Sequence, residues 1–389
     1  MIQPTIEPGA ETPGRPADLP AVRRMAVGDA VPMTRRQLLG AAGTVAVMAT
    51  AGVTGMGAVT APEAAAAPTG RIVPARSLPV PGTVSPQLSA VIGAPLPVGW
   101  DSIPADVTGW RALAAQSADD PDLPALIEEL GVTIRSDTIA GVPVFRIAPP
   151  RNAHPGRLLL HLHGGGYVLY PGLVGAGEGM IMAGLQGYEV VSVDYRMPPD
   201  HPFPAAVDDA FAVWQALLRH HDPRRMAVFG ASAGGGLTLA LVLRARDAGV
   251  PLPAAIAPGT PWVDLTAGST VGDSLHANEY VDNVLVSPSG WVGAAAALYS
   301  AGHDPRDPWI SPIYGDFRGL PPAILTSGTR DLLLSHAVRA HRKLRRVGVP
   351  AALQVFEGQS HAQFLEPFVP ETDEAFAEIG TFLDAHLAA

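Results

Sequence analysis

The sequence predicts an α/β fold, a mostly parallel central sheet flanked by helices. Three observations carry this expectation. From Val132 onward, short apolar runs of strand length alternate with longer amphipathic runs, the pattern of strands joined by crossover helices. One strand-like run ends in His163-Gly164-Gly165-Gly166, and a second in Gly230-Ala231-Ser232-Ala233-Gly234. The second glycine turn then opens into a helix-forming run.

Taken in order, residues 1 to about 33 are rich in Pro, Ala and Gly and have no apolar period. Thr34-Arg35-Arg36-Gln37-Leu38-Leu39 precedes an uncharged run from Gly40 to Ala61, and Ala64-Ala65-Ala66-Ala67 follows. A basic start, an apolar middle and small residues at a cut site describe an export signal. The paired arginines resemble a twin-arginine address. The expectation for residues 1–67 is therefore a long leader with a signal cleaved near Ala67 and an extracellular, periplasmic or cell-envelope product. Translation starting at Met25 or Met33 would shorten the leader. The run is long enough to span a bilayer, but its Gly, Ala and Thr content makes it weakly hydrophobic. Cleavage would leave no stable membrane association.

Residues 68 to about 100 are Pro-rich and read as extended; 101–130 contain helical stretches at Asp106–Ala115 and Asp122–Leu130. The catalytic domain is expected over 131–389. Its candidate strands are Val132–Ile139, Val142–Ile147, Leu158–His163, Val190–Asp194, Met226–Phe229, Ala254–Ala257, Ala323–Thr326 and Ala351–Phe356. Its candidate helices are Ala176–Gly184, Pro204–Arg219, Gly235–Ala248, His336–Val347 and Thr372–Leu387.

Composition narrows the function. The 389 residues accommodate one large catalytic domain with appendages. A net charge of -10 and the lack of a basic stripe argue against nucleic acid. The leader holds five arginines and five acids, so its removal leaves that charge unchanged. There is no cysteine, which excludes disulfides, thiolate catalysis and Cys-ligated zinc. Lys343 is the only lysine.

The chemistry concentrates in four places. A sharp strand-to-helix turn at Ser232 lifts its hydroxyl above the sheet, beside the helix N-terminus. A serine needs a base, and the base an orienting carboxylate. After such an elbow the acid and then the histidine follow in the chain. Asp331 lies beyond the run Ala323–Thr326, and His361 beyond Ala351–Phe356. Glu357 is a second candidate acid, but it stands too near His361 in sequence. Acyl transfer also needs N–H donors aimed at the developing oxyanion. The glycines after His163 let backbone approach a substrate, and Ala233 supplies another N–H. His163 reads as an anchor for that loop. With His161 alone it is weak evidence for a metal.

These residues together resemble the hormone-sensitive-lipase-like family of α/β-hydrolases, in its bacterial esterase, lactonase and acetyl-hydrolase branch. The resemblance covers roughly residues 130–389. It rests on His163-Gly164-Gly165-Gly166, Val193-Asp194-Tyr195-Arg196, His201-Pro202-Phe203-Pro204-Ala205-Ala206 and the serine elbow. Further matches are Pro261-Trp262-Val263-Asp264-Leu265, Gly319-Leu320-Pro321-Pro322 and Ser360-His361. It implies an oxyanion hole from Gly165, Gly166 and Ala233. It implies a helical cap from about 85–130 and from an insertion at 264–315. Homodimers also occur in the family. The sequence departs from the family at Ala231, where an Asp is usual, and at Ser335, where a second Asp is usual. Asp194, Arg196 and Asp208 read as structural ion-pair residues.

The expected activity is two-step hydrolysis of short- to medium-acyl small-molecule esters by Ser232, Asp331 and His361, without metal or organic cofactor. Tyr167, Trp262, Tyr280, Trp291 and Tyr299 are candidate pocket walls. The alternatives are lactone hydrolysis or small-molecule deacetylation on the same residues, and an exported, non-catalytic binding protein that kept the fold.

Overall fold

The computed structural model describes residue 75 and residues 77–266 and 274–388. The expected export segment lies outside the described residues, as do residues 267–273 of the expected cap insertion.

The eight strands are β1 (Thr133–Ile139), β2 (Val142–Ala148), β3 (Leu158–Leu162), β4 (Glu189–Val193), β5 (Met226–Ala231), β6 (Ala255–Gly259), β7 (Ala323–Gly328) and β8 (Ala351–Phe356). They form one sheet in the order β1-β2-β4-β3-β5-β6-β7-β8. β1 and β2 are a hairpin closed by Ala140 and Gly141, both at positive φ, the geometry that matches strand twist in a two-residue turn. β2 is antiparallel to β4, and every other pairing is parallel.

The helices are α1 (Pro86–Ile92), α2 (Val107–Gln116), α3 (Leu123–Leu130), α4 (Gly177–Gln186), α5 (Ala205–Leu217), α6 (Ala233–Asp247), α7 (Trp291–Ser300), α8 (Leu334–Arg346) and α9 (Pro370–His386). Strand side chains alternate between faces, so each strand feeds two cores. Leu159, Val190 and Phe229 pack with Met180 of α4 and Phe376 and Ile379 of α9. Leu160, Leu162 and Val228 pack on the other face with α5, α6 and α8. Central parallel strands buried on both faces read as continuous apolar runs, which is why β3 and β5 were legible as runs.

Two sequence expectations are corrected. Residues 86–92 form α1 within the stretch expected to be extended. Ser85 caps its N-terminus, and Glu371 of α9 accepts from both the Ser85 N–H (2.6 Å) and its hydroxyl (2.8 Å). Helix α6 starts at Ala233, two residues before the expected Gly235. Arg196 and Asp208 are ion-paired as expected, Arg196 with Asp209 (2.7 Å) and Asp208 with Arg244 (2.5 Å). Successive helix residues point in different directions, so Asp209 turns toward the end of β4 and Asp208 toward α6. Asp194 accepts from the Gly172 N–H at 2.9 Å.

Above the sheet, Trp110 and Leu113 of α2 pack with Trp291, Ala294 and Ala295 of α7 and with Val168 and Leu169 of the loop after β3. On α8, the Lys343 ammonium donates to the Ile313 carbonyl (2.5 Å) and sits 4.8 Å from the centre of the Phe317 ring.

Candidate active site

Strands β3, β5, β7 and β8 are parallel members of one sheet. The loops after their C-terminal ends therefore open on the same edge, where such sheets gather ligands. Those loops carry His163–Gly166, Ser232, Asp331 and His361.

Ser232 has φ 60° and ψ -121°, a conformation that a side-chain-bearing residue adopts only under constraint. The constraint is visible. The Ser232 N–H donates to the Gly259 carbonyl at 2.9 Å, and its own carbonyl accepts from Trp262 N (2.9 Å) and Gly236 N (3.0 Å). Gly230 and Gly234 flank the turn because a Cβ at either would strike the Leu162 carbonyl oxygen of β3. Ser232 is partly exposed, while both neighbours are buried.

Beneath the turn, the Ala231 N–H has passed the end of β3. It donates instead to Glu178 Oε2 of α4, at 2.9 Å. The same oxygen stands 3.2 Å from His161 Nε2, and His161 Nδ1 is 2.9 Å from Ser192 Oγ. His161 is therefore held in a buried polar chain under the sheet. The Ala231 methyl is buried, and a Cβ at Gly259 would lie against both it and the Phe364 ring. Phe364 thus occupies the neighbourhood of the side chain at position 231.

After β3, Gly165 and Gly166 have φ of 95° and 63°. A Cβ at Gly165 would come within 2.5 Å of the Leu169 carbonyl oxygen, and one at Gly166 within 2.9 Å of the Trp291 ring. The Gly165 carbonyl is turned back to accept from the Val168 and Leu169 N–H groups. Among the described residues, neither the Gly165 nor the Gly166 N–H has a backbone acceptor. Ala233 is the first residue of α6, so its N–H has no acceptor within the helix. His163 Nδ1–H donates to the Gly164 carbonyl (2.8 Å), and its ring stacks on Tyr195 with centroids 4.2 Å apart. Tyr195 in turn donates its hydroxyl to the His163 carbonyl at 2.7 Å. Burial pushes the His163 pKa down to about 3, against the effect of its Gly164 bond.

Asp331 is fully buried. Its Oδ1 accepts from His361 Nδ1–H (2.9 Å) and Leu333 N (2.8 Å), and its Oδ2 accepts from Ser327 Oγ (2.7 Å). With Nδ1 committed as donor, His361 Nε2 carries the lone pair; it has no partner among the described residues. Burial opposes the charged imidazolium, but the charge and hydrogen bond of Asp331, with the charge of Asp282, outweigh it and raise the His361 pKa.

Sequence reasoning missed Asp282, Asn278, Asn283 and Glu178. Asp282 Oδ2 accepts from Leu332 N (2.7 Å) and His361 N (3.0 Å). Asn278 Nδ2 donates to the Asp331 carbonyl (2.8 Å), and Asn283 N to Ser360 Oγ (3.1 Å). These contacts join residues 50 to 80 positions apart, so no local spacing reveals them.

The aromatic residues separate into two groups. Tyr167 and Tyr299 are fully buried and stack on each other at 3.8 Å, and Trp262 is buried in the same core. They are buried in the core shared with β3, α6 and α7. Trp291 stands against Gly166. Tyr280 is 58% exposed and meets Trp100 edge-on at 5.6 Å.

Fold and elbow together define an α/β hydrolase with a strained serine at the turn into α6. Residues 159–365 match the family described as having the alpha/beta hydrolase fold. An acetyl-hydrolase of Streptomyces hygroscopicus is 35% identical over 230 residues, covering 59% of this chain and 75% of that protein. The crystal structure of an esterase E25 superposes with a TM-score of 0.78 at 40% identity, covering 82% of this chain and 99% of the other. An esterase from the bacterial hormone-sensitive lipase family gives 0.64 at 33% identity, covering 78% and 99%. The chain belongs to the α/β-hydrolase family, among the hormone-sensitive-lipase-type bacterial esterases, and is a serine ester hydrolase.

Proposed function

We propose that the chain hydrolyses short- to medium-acyl small-molecule esters through an acyl-enzyme formed on Ser232. The observations that support this reading are the strained Ser232 turn and the His361–Asp331 hydrogen bond, carried by loops at the C-terminal ends of parallel strands of one sheet. His361 Nε2 takes the Ser232 proton as Oγ attacks the ester carbonyl. Asp331 holds Nδ1–H and stabilises the imidazolium that forms. The N–H groups of Gly165, Gly166 and Ala233 receive the oxyanion. As the tetrahedral adduct collapses, His361 protonates the leaving alcohol. It then deprotonates a water that attacks the acyl carbonyl, and returns the proton to Ser232 Oγ as the acyl–Oγ bond breaks and the acid leaves. Trp291 against Gly166 limits the room beside the oxyanion loop, which favours small acyl groups.

Deacetylation of small molecules on the same residues is a second reading, favoured by the likeness to an acetyl-hydrolase. A panel of p-nitrophenyl esters of rising acyl length, set against lactones and N-acetyl amides, separates the two. Ser232→Ala should abolish turnover of every active substrate and labelling by a fluorophosphonate. Turnover that survives this substitution would sink the assignment.

A further inference from the structure

Asp282 is a buried carboxylate that the proposed ester cleavage does not use. It belongs to the segment between β6 and α7, within the stretch that the family resemblance implies is a cap. Its two oxygens accept four backbone N–H groups: Oδ1 from Val284 (2.7 Å) and Leu285 (2.9 Å), Oδ2 from Leu332 (2.7 Å) and His361 (3.0 Å). The first pair fixes the carboxylate on its own segment. The second pair takes one donor from the loop that carries Asp331 and one from His361 itself. A single side chain therefore pins the cap segment to both loops. Asn278 and Asn283 make parallel ties, to the Asp331 carbonyl and to Ser360.

Among the described residues, Asp282 makes no ion pair with an arginine or lysine. The charged groups that act on it are Asp331 and the His361 ring. Arg330, the nearest basic residue along the Asp331 loop, donates its guanidinium to the Pro79 carbonyl. On the cap segment itself, His276 and Glu279 pair with each other at 2.9 Å. A carboxylate held only by amides, beside another carboxylate and a histidine, costs more than a neutral acceptor would. Four amides could be satisfied without charge, so the charge calls for a reason.

We infer that Asp282 is a positioning residue that docks the cap segment onto the acid and base loops and places a second negative charge on the His361 imidazolium. It rests on the reading of Asp331 and His361 as acid and base. In the free enzyme the ring sees two carboxylates, one through a hydrogen bond at Nδ1 and one through the backbone side. Both favour the protonated ring that develops as Ser232 attacks. The direction of the His361 shift agrees, since Asp282 adds to the effect of Asp331. Burial and the Asp331 charge raise the pKa of Asp282 itself.

The test is the pH dependence of p-nitrophenyl acetate hydrolysis by the full chain. Asp282→Asn should lower kcat by roughly ten- to a hundredfold, the scale of a small misplacement of reacting groups, with KM little changed. Its acid limb in kcat/KM should move to lower pH, because one charge holding the proton on His361 is gone. Asn278→Ala breaks a neighbouring tie without removing charge. It should lower kcat and leave the limb in place. Asp282→Ser, with room for a water to accept the amides, is the second uncharged variant should Asp282→Asn not fold. A folded Asp282→Asn or Asp282→Ser whose acid limb matches the parent overturns the inference. So does failure of both to fold, which would make Asp282 a folding residue only. Residual turnover in Ser232→Ala would instead remove the reading of the nucleophile, and the two failures are distinguishable.

Discussion

Position 231 carries alanine where the family resemblance implies an aspartate, and the surrounding atoms fit the alanine. The methyl is buried beside Gly259 and Phe364, while the backbone N–H faces Glu178. A carboxylate there would enter an apolar layer and add to the negative charge already beneath the turn. Ala231→Asp should cost about 3 kcal/mol of stability, the scale of an uncompensated buried charge. Urea unfolding of the folded variant measures this, and an unchanged midpoint would mean that Phe364 yields. The single-residue readings of Ser232, Asp331 and His361 were legible because each follows a recognisable apolar run. Glu178 was not. Its meaning depends on the first turn of α4 reaching the end of β5, and nothing within several residues of it hints at a partner 53 positions later.

At the level of elements, the elbow is a joint between β5 and α6 held from several sides. Glu178 supplies the acceptor that β3 would have given had it continued. Glu178→Leu orphans the Ala231 N–H, a loss of about 1–3 kcal/mol. It should also lower kcat more than it raises KM, because the turn positions both Ser232 and the Ala233 donor. Glu178→Gln keeps an acceptor oxygen and should restore much of both. Thermal melts and initial rates on the three proteins decide the matter.

All eight strands were found from sequence within two residues at each end; the central parallel ones read as apolar runs because they are buried on both faces, whereas β1 and β2 form an antiparallel hairpin with much of β1 exposed. Helices were less evenly legible. Helix α1 depends on Glu371 of α9, almost the whole domain away in sequence. Helix α7 has only Val, Gly, Ala and Leu between Trp291 and Tyr299, so it lacks the polar face that gives a helix its period. The three glycines at 234–236 disguised the first turn of α6, whose close approach to β3 and β6 requires them.

At the scale of the molecule, two buried histidines give folding stability opposite slopes with pH. His163 stays neutral in the fold, with its pKa near 3. The unfolded chain takes up that proton near pH 6.5, so stability falls by at most about 1.4 kcal/mol per pH unit from there toward pH 3. His361 has a raised folded pKa. Its contribution is fully present below its unfolded pKa and is lost as pH rises through the folded value. The two contributions together place a maximum close to the ordinary histidine range. Chemical unfolding of the parent and of His163→Asn across this range should show the acid slope in the parent and a shallower one in the variant. Equal slopes would mean that His163 is not the neutral buried group.

The lone lysine has a practical consequence of another kind. Lys343 sits near the far end of α8, its ammonium already engaged by Ile313 and Phe317, and burial lowers its pKa. Apart from the α-amino group, an aldehyde support or an amine-reactive dye therefore has one handle on this protein. That handle does not lie on the loops beyond the strand ends. Dialdehyde fixation has no second lysine with which to knit copies into a network. Tethering through carboxylates, which are plentiful, would instead put Asp331 and Asp282 at hazard, were they not sealed inside.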